Sequence, residues 1–359
     1  MDSGAETPPD PTGPRDAGSR SLDGKMIDGP PLTEADDNWH EHSQHWWETE
    51  TTWWSFNHPD RKMGGWLYTQ ALGVQQTCNG GAWVWDDTPS GALYEARHQG
   101  LPFADRGDLR NCTFPNGNRV EMLEPLMKYH TVYSDPGKLE ADLIHEGIMP
   151  PHSHPVGAWP FWATRHFDQP MHVTGTILLY GEEIPIDCYS VRDRSWGPRP
   201  AGPTPADKKL PHGALPRPNP PIRAKDPHSV GYVFGTQDPR EAFLAFTDPW
   251  LRVDGRMSDD LDTGYLLRGG VYAPLVAGFR TTELAPDTRF IKTIHLEASD
   301  ALGRDLVADG ELVARHGTEG PSGTGTFRWT WSGGCSGWGE DQTYAPAEWL
   351  NALDSTPAN

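Results

Sequence analysis

The sequence is poor in the features that would place it in the commonest functional classes. Four cysteines, Cys78, Cys112, Cys188 and Cys335, occur in 359 residues and no two of them form a C-x-x-C pair, so neither a zinc knuckle nor a thioredoxin-type motif is available. They read as ordinary buried thiols. No G-x-G-x-x-G or G-x-x-x-x-G-K-[ST] loop is present, and nothing supports a nucleotide-binding α/β domain. Basic residues are scarce: 30 Lys and Arg against 50 Asp and Glu give a formal charge of −20. Such a surface repels phosphate backbones and anionic lipid heads, which argues against a nucleic-acid partner. No run of about 18 apolar residues occurs to cross a bilayer, and the opening "MDSGAETPPDPTGPRDAGSRSLDGK" lacks the apolar stretch of a signal peptide. A soluble, cytoplasmic protein with no integral membrane segment is the expectation.

What is abundant is tryptophan, 16 residues, set among 39 glycines and 35 prolines. Tryptophan supplies a large apolar area with one polar N–H, which suits pocket walls as well as cores. Residues 1–33 hold almost no large apolar side chain and read as a disordered tail, because such a segment cannot bury enough surface to offset its ordering entropy. A second composition shift spans 197–228, where prolines crowd too densely for a helix or a central strand and favour an extended linker. It divides the chain into 34–196 and 229–359.

Both parts show short strand-like alternation. Examples are "GGWLYTQAL", "GGAWVWDD" and "MKYHTVYS" in the first, then "SVGYVFGT", "EAFLAFTD" and "GTFRWTWSG" in the second. Turn residues fall between these runs at close spacing and helical periodicity is rare, so the fold class is all-β, in antiparallel barrels or sandwiches. "PAEWLNALD" near the end reads as a short terminal helix. Each half closes on a hairpin-like pair ending in Trp-Gly, which suggests a duplicated barrel unit with room for one small ligand in or between the units.

The stretch "SVRDRSWGPR", Ser190 to Arg199, sets an acid between two arginines. In a strand Arg192 and Arg194 point to the face opposite Asp193, so they need not neutralise it. If that face is enclosed, desolvation raises the carboxyl pKa and keeps Asp193 protonated near neutrality, as a general acid requires. The plainer alternative is a buried Asp paired with Arg199 or capping the turn at Trp196 and Gly197. In "TRHFDQPMHVTG", His166 and His172 flank Asp168. An antiparallel return can bring His166 level with Asp193, and histidine is the side chain most readily poised for proton transfer near neutral pH.

Two histidine clusters are candidates for metal. "WHEHSQHWWE" offers His40, Glu41, His42 and His45, but contains no H-E-x-x-H; "PHSHP" offers His152 and His154, with no Glu at cupin spacing and prolines on both sides. No metal is expected. Ser195 lies outside any G-x-S-x-G elbow and reads as a turn serine. A tryptophan-lined groove with Asp193 and a second acid from "WGEDQ", Glu340 or Asp341, also fits glycan chemistry.

The segment "HFDQPMHVTGTILLYGEEIPIDCYSVRDRSWGPR" resembles the strand pair and R-D-H-x-W-G-type signature of the tandem-lipocalin superfamily that includes carotenoid 1,2-hydratases and AttH-like proteins. "NHPDRKMGGWLYTQALGVQQTCNGGAWVWDD" looks like the first strands of that group and "SGWGEDQ" like its closing element, so that the likeness covers most of 45–345. The resemblance implies two tandem lipocalin-like antiparallel β-barrel domains with an apolar pocket near their junction. It further implies a cofactor-independent hydratase or dehydratase acting on an alkene or tertiary alcohol of a hydrophobic, terpenoid-like substrate. Asp193 matches the proposed proton donor of such a hydratase and His166 its upstream histidine. Arg194 replaces the histidine often found after the acid, and Val191 stands where the carotenoid enzymes carry a tyrosine. Trp196, Arg194, Trp162 and Phe167 are the residues expected to line the substrate, Trp196 by cation–π stabilisation of a carbocation. Two other readings stand beside this one: a non-catalytic lipocalin-type binding protein for a hydrophobic ligand, and a glycan-active β enzyme.

Overall fold

The computed structural model describes residues 28–41, 45–89, 91–155, 165–199, 230–251, 257–285, 290–316 and 323–344. The expected tail over 1–27, His42, Trp162, most of the Pro-rich segment and the expected terminal helix lie outside these residues. Where the tail was expected to continue to residue 33, the backbone N–H of Gly29 instead donates to Ser153 O at 2.6 Å.

The described residues are mostly strand. The first part contains β1 (Glu48–His58), β2 (Met63–Leu72), β3 (Thr77–Trp85), β4 (Ala92–Pro102), β5 (Asn111–Thr113), β6 (Asn118–Glu124), β7 (Lys128–Asp135), β8 (Leu139–Gly147), β9 (His152–Ser153), β10 (Arg165–Leu179) and β11 (Glu182–Pro198). The second contains β12 (Val230–Asp238), β13 (Glu241–Leu251), β14 (Met257–Arg268), β15 (Val271–Leu284), β16 (Ile291–Asp300), β17 (Asp305–His316), β18 (Gly323–Trp331) and β19 (Cys335–Tyr344). β8 shows why: Leu139, Ala141, Leu143, His145 and Gly147 are buried and the residues between them are not, the period-two pattern of a strand with one dry face.

β12 to β19 close into an antiparallel barrel in sequence order. The first part forms a single curled sheet in the order β4-β3-β2-β1-β11-β10-β8-β7-β6-β5, with β9 added on β10. The all-β, two-unit architecture expected from the sequence is present, but the first unit is a half-barrel: among the described strands β4 and β5 do not pair. β5, three residues long, offers too little ladder to seal the gap. Of the cysteines, Cys78, Cys112 and Cys188 are buried as expected, and Cys335 is half-buried. Among the described residues no helix is long and apolar enough to cross a membrane, a statement that does not bear on β-barrel insertion.

Three cores result. Trp54, Phe56, Leu67, Tyr129 and Ile177 fill the hollow of the first sheet, and Phe243, Leu266, Ile294, Leu296 and Trp329 fill the barrel. A third lies between them, where Trp53 and Val191 meet Tyr232, Phe234, Leu244 and Phe246 of the barrel's outer face. Trp53 and Trp54, adjacent in sequence, thus serve different cores. Hydrogen bonds cross this junction, Trp66 Nε1 donating to Glu340 Oε2 at 2.8 Å and Trp85 Nε1 to Thr326 Oγ1 at 3.0 Å. Gly64 shows how close the approach is, since a Cβ there would lie 2.5 Å from Thr326 Oγ1 and from the Trp85 ring.

Candidate active site at the junction of the two sheets

The long hairpin of β10 and β11 sets Asp168 directly opposite Asp193 and His166 opposite Ser195. Alternation then divides the residues. His166, Asp168, Asp193 and Ser195 share the face turned to the barrel, whereas Phe167, Arg192, Arg194 and Trp196 share the face turned into the first sheet. β9 runs along the same edge, with His152 opposite Asp168, and the chain continues at once into His154. From the barrel, β12 contributes Tyr232 and β14 contributes Thr263.

These groups converge. His154 Nε2 lies 2.5 Å from Asp168 Oδ2, and Tyr232 donates its hydroxyl to Asp168 Oδ1 at 2.8 Å. His166 Nε2 is 3.6 Å from Asp168 Oδ2 and 3.4 Å from Asp193 Oδ2. His154 Nδ1 shares a hydrogen bond of 3.1 Å with Thr263 Oγ1. His152 Nδ1 shares one of 2.6 Å with Tyr272 OH, also on the barrel. Phe246 closes the cluster, its ring 4.9 Å from that of His154 and 5.2 Å from that of His166.

The environment is dry and it moves every titration. Burial raises the Asp168 carboxyl to about 6, and burial raises Asp193 as well, against the opposing pull of His166. Burial disfavours a cationic His166, yet the charge of Asp168 and the bond to Asp193 outweigh it and lift this imidazole above its ordinary value. His154 is driven the other way, well below its ordinary value, by burial and by His166 beside it. One proton lies between His154 Nε2 and Asp168 Oδ2 in either tautomer. Asp193 differs from its neighbours in exposure: its side chain is 21 % accessible, against 2 % for His166 and 0 % for Asp168. Its Oδ1 has no hydrogen-bond partner. Asp193 is therefore the most exposed of these three side chains, although its Oδ1 is itself buried.

His154, His166 and Asp168 each turn a donor atom to a common point, all within 4.8 Å of one another, and this trio is the place where a metal ion could be held. Two ligands of one transition ion stand about 3 Å apart or more, given bond lengths of about 2.0–2.1 Å at tetrahedral or octahedral angles. The contact of 2.5 Å between His154 Nε2 and Asp168 Oδ2 is shorter than that, and lies nearer the about 2.7–2.9 Å of a charge-assisted N–H···O bond. The distances suit a shared proton.

The structure brings Asp193 and His166 together. It does not bring the expected substrate-lining residues to them. Trp196 stacks on His40 at 4.0 Å and 6° between planes, on the opposite face; Arg194 donates to Glu50 Oε2 at 3.0 Å on that same side; and Phe167 lies under the Arg192 guanidinium, 4.9 Å from its ring centre. The reason is the alternation itself, since all three stand an odd number of residues from the acid or opposite such a residue. Trp162 lies outside the described residues. His172 is half-exposed and pairs with Asp187 at 2.7 Å, farther along β10. His40 bonds Glu50 and His45 accepts the Trp47 N–H at 3.0 Å, so neither joins the cluster. Of the second acids weighed for glycan chemistry, Asp341 is bound by Arg280 at 2.6 Å, and Glu340 is held by Trp66 at the junction, where burial raises its carboxyl to about 8.

Sequence reasoning missed the roles of Asp168, His154, Tyr232 and Thr263. For Asp168 a signal existed: it stands two residues from His166 and therefore shares its face. Tyr232 and Thr263 come from the other sheet and no local pattern announces them.

Among solved structures, CghA superposes with a TM-score of 0.50 at 12% identity, covering 82% of this chain and 87% of that one, a likeness that shows a common fold. Kievitone hydratase from Nectria haematococca aligns with a TM-score of 0.43 at 12% identity over 93% of this chain and 98% of its own. A protein of Nitrosomonas europaea assigned as AttH aligns with a TM-score of 0.46 at 12% identity over 83% and 92%. No curated protein matches the sequence. Residues 33–350 match the model of the family described as a domain of unknown function, DUF7064, and the chain belongs to that family.

Proposed function

We propose that this protein is an enzyme of the hydro-lyase kind, adding water to, or removing it from, an alkenyl small molecule with a hydrophobic, terpenoid-like skeleton, and needing no cofactor to do so. The observation that carries this reading is Asp193: a raised carboxyl on the junction face, with one oxygen bonded to His166 and the other buried without a hydrogen-bond partner. A carboxyl kept protonated near neutrality and surrounded by low dielectric is suited to deliver a proton to carbon. His166 is placed to take the proton of the incoming water. The 3.4 Å contact between them then lets His166 return a proton to Asp193, which closes the cycle. Run backwards, the same steps dehydrate, and return of the proton to a different carbon isomerises.

Asp168 supports the cycle without touching substrate. Held by Tyr232 and His154 at both oxygens, it supplies the negative charge that makes His166 a stronger base. The same fact weighs against a glycosidase, whose second carboxylate must flank the scissile bond. The non-catalytic carrier is the remaining alternative. Purified protein and its Asp193→Asn variant, incubated with prenyl and terpene alkenes and the matching tertiary alcohols in isotopically labelled water, separate these readings by mass spectrometry. Label incorporated by the wild type and lost in the folded variant supports the hydro-lyase. Ligand retained by both without turnover identifies a carrier. Turnover abolished by a chelator and restored by a divalent ion would assign the His154, His166 and Asp168 trio to a metal.

A further inference from the structure

His154 follows directly on the shortest strand among the described residues. β9 is two residues long, and its ladder to β10 consists of Ser153 opposite Phe167 and His152 opposite Asp168, extended by the His154 N–H, which donates to His166 O at 2.9 Å. So short a ladder opens readily by itself, because few hydrogen bonds must break together. The chemistry is less tolerant. His154 Nε2 lies 2.5 Å from Asp168 Oδ2, and a misplacement of about 1 Å at a reaction centre can cost about 10²-fold in rate.

The other edge of β9 is taken by residues whose composition reads as a tail. Gly29 donates its backbone N–H to Ser153 O at 2.6 Å, and Pro30 O accepts from Arg165 Nη2 at 3.3 Å. Ser153 precedes His154 and Arg165 precedes His166, so one dipeptide is bonded to the residue before each histidine of the cluster. Arg165 is held in turn, its Nη1 3.6 Å from Asp36 Oδ1 farther along the same segment. The approach of Gly29 is so close that only glycine fits. A Cβ there would overlap the His154 carbonyl oxygen and lie 2.5 Å from Ser153 Oγ. The φ of Gly29 lies outside the left-handed region, so its backbone conformation would accept alanine. What requires glycine is the space, and the atom that limits the space belongs to His154.

We infer that Gly29 and Pro30 are a clasp that positions His154 and His166, holding β9 against β10 so that both imidazoles meet Asp168. The link to the reaction rests on the hydro-lyase reading, whereas the clasp itself does not. With the clasp released, His154 withdraws from Asp168, and the ionised carboxyl loses a hydrogen-bond donor. A carboxylate so deprived takes up its proton at higher pH, and an uncharged Asp168 no longer supports the charge of His166. The acidic limb of the pH–rate profile then moves to higher pH, a shift that loss of folded protein alone does not produce.

Gly29→Ala and Gly64→Ala in the full chain test this, by hydrogen–deuterium exchange with mass spectrometry and by pH–rate profiles. Gly64 is a tight glycine too, but its neighbours are Thr326 and Trp85, away from both histidines. In Gly29→Ala, amide exchange over 152–155 should quicken, turnover at neutral pH should fall by about 10²-fold, and the acidic limb should move up. In Gly64→Ala the thermal midpoint should fall, with exchange over 152–155 and the acidic limb as in the wild type. Arg165→Met, which removes the bond to Pro30 without adding an atom to the core, should act as Gly29→Ala does to a smaller degree, and it decides the matter if Gly29→Ala does not fold. Exchange over 152–155 unchanged in the folded variants, or equally quickened in Gly64→Ala, would overturn the clasp. Quickened exchange with rate and acidic limb unmoved would overturn its positioning role. Quickened exchange in Gly29→Ala and Arg165→Met, with no turnover of any alkene or tertiary alcohol by the wild type, keeps the clasp and removes the hydro-lyase reading instead.

Discussion

The two faces of β11 carry opposite solutions to burying charge. On the face turned into the first sheet, Arg192 donates to Gln169 Oε1 at 2.7 Å, Tyr129 OH at 2.6 Å and Asp37 Oδ1 at 3.3 Å, while Arg194 meets Glu50 and the backbone of Asp36. Each of these cations has an anion. On the other face, one residue away, Asp193 has a histidine at 3.4 Å and an oxygen with no partner. The barrel interior follows the first pattern, Arg280 binding both Asp259 and Asp341. Among the described residues, the buried arginines that hold a sheet together are paired with carboxylates, whereas Asp193 at the junction keeps one buried oxygen without a hydrogen bond. A structural cluster gains from complete pairing, and a proton-transferring one loses its function by it.

Substitutions on the two faces should therefore separate stability from chemistry. The largest effect is expected from Asp193→Asn, which should cut turnover by about 10²–10⁴-fold with the thermal midpoint unchanged; a variant keeping most of its rate would place the proton donor elsewhere. On the arginine face Asp37→Ala should do the reverse. It strands a buried Arg192 and removes the acceptor of Tyr129 OH, so urea unfolding should show a loss of about 3–5 kcal/mol, with the rate of the remaining folded protein preserved. An equal loss of both would mean that the two faces are coupled.

Glu340 sharpens the comparison through pH. Its native carboxyl titrates at about 8 against an ordinary 4.5, so the folded state keeps a proton that the unfolded chain has already released. Its contribution to stability is complete below the lower value and is lost as pH rises through the upper one. Glu340→Gln removes that loss, and its melting temperature should equal that of the wild type at pH 4 and exceed it at pH 8. The smallest effect is expected from Tyr232→Phe. Loss of one buried hydrogen bond costs about 1–2 kcal/mol, and because the Tyr232 hydroxyl holds the Asp168 pKa down, the acidic limb of the pH–rate profile should move to higher pH. An unmoved limb would detach Asp168 from the reaction.

Much of this was legible from period two alone. "SVRDRSWGPR" announces an acid facing away from two arginines, and the spacing from His166 to Asp193 fits the hairpin that joins them. The same rule, applied to Trp196 three residues on, puts it with the arginines; chemical suitability for a carbocation suggested otherwise, and the geometry follows the pleat. His154 could be seen as half of an H-x-H pair, but its partners His166 and Asp168 lie across a strand pairing that depends on β9, only two residues long. Tyr232 and Thr263 were out of reach because their positions depend on how one sheet packs on another. The open edge of the first sheet was equally hidden, since β5 is only three residues long and no sequence pattern tells whether the first and last strands of a sheet pair.

The bonds from Tyr232 to Asp168 and from Thr263 to His154 join side chains from opposite ends of the chain's organisation. The architecture looks modular, two β units that could have been inherited, exchanged or recombined separately. The junction cluster is not. Asp193, His166, Asp168 and His154 come from one unit, and Tyr232 and Thr263, which hydrogen-bond Asp168 and His154, come from the other, so a hybrid pairing the first half of one relative with the second half of another keeps this cluster only if both sides of the contact travel together.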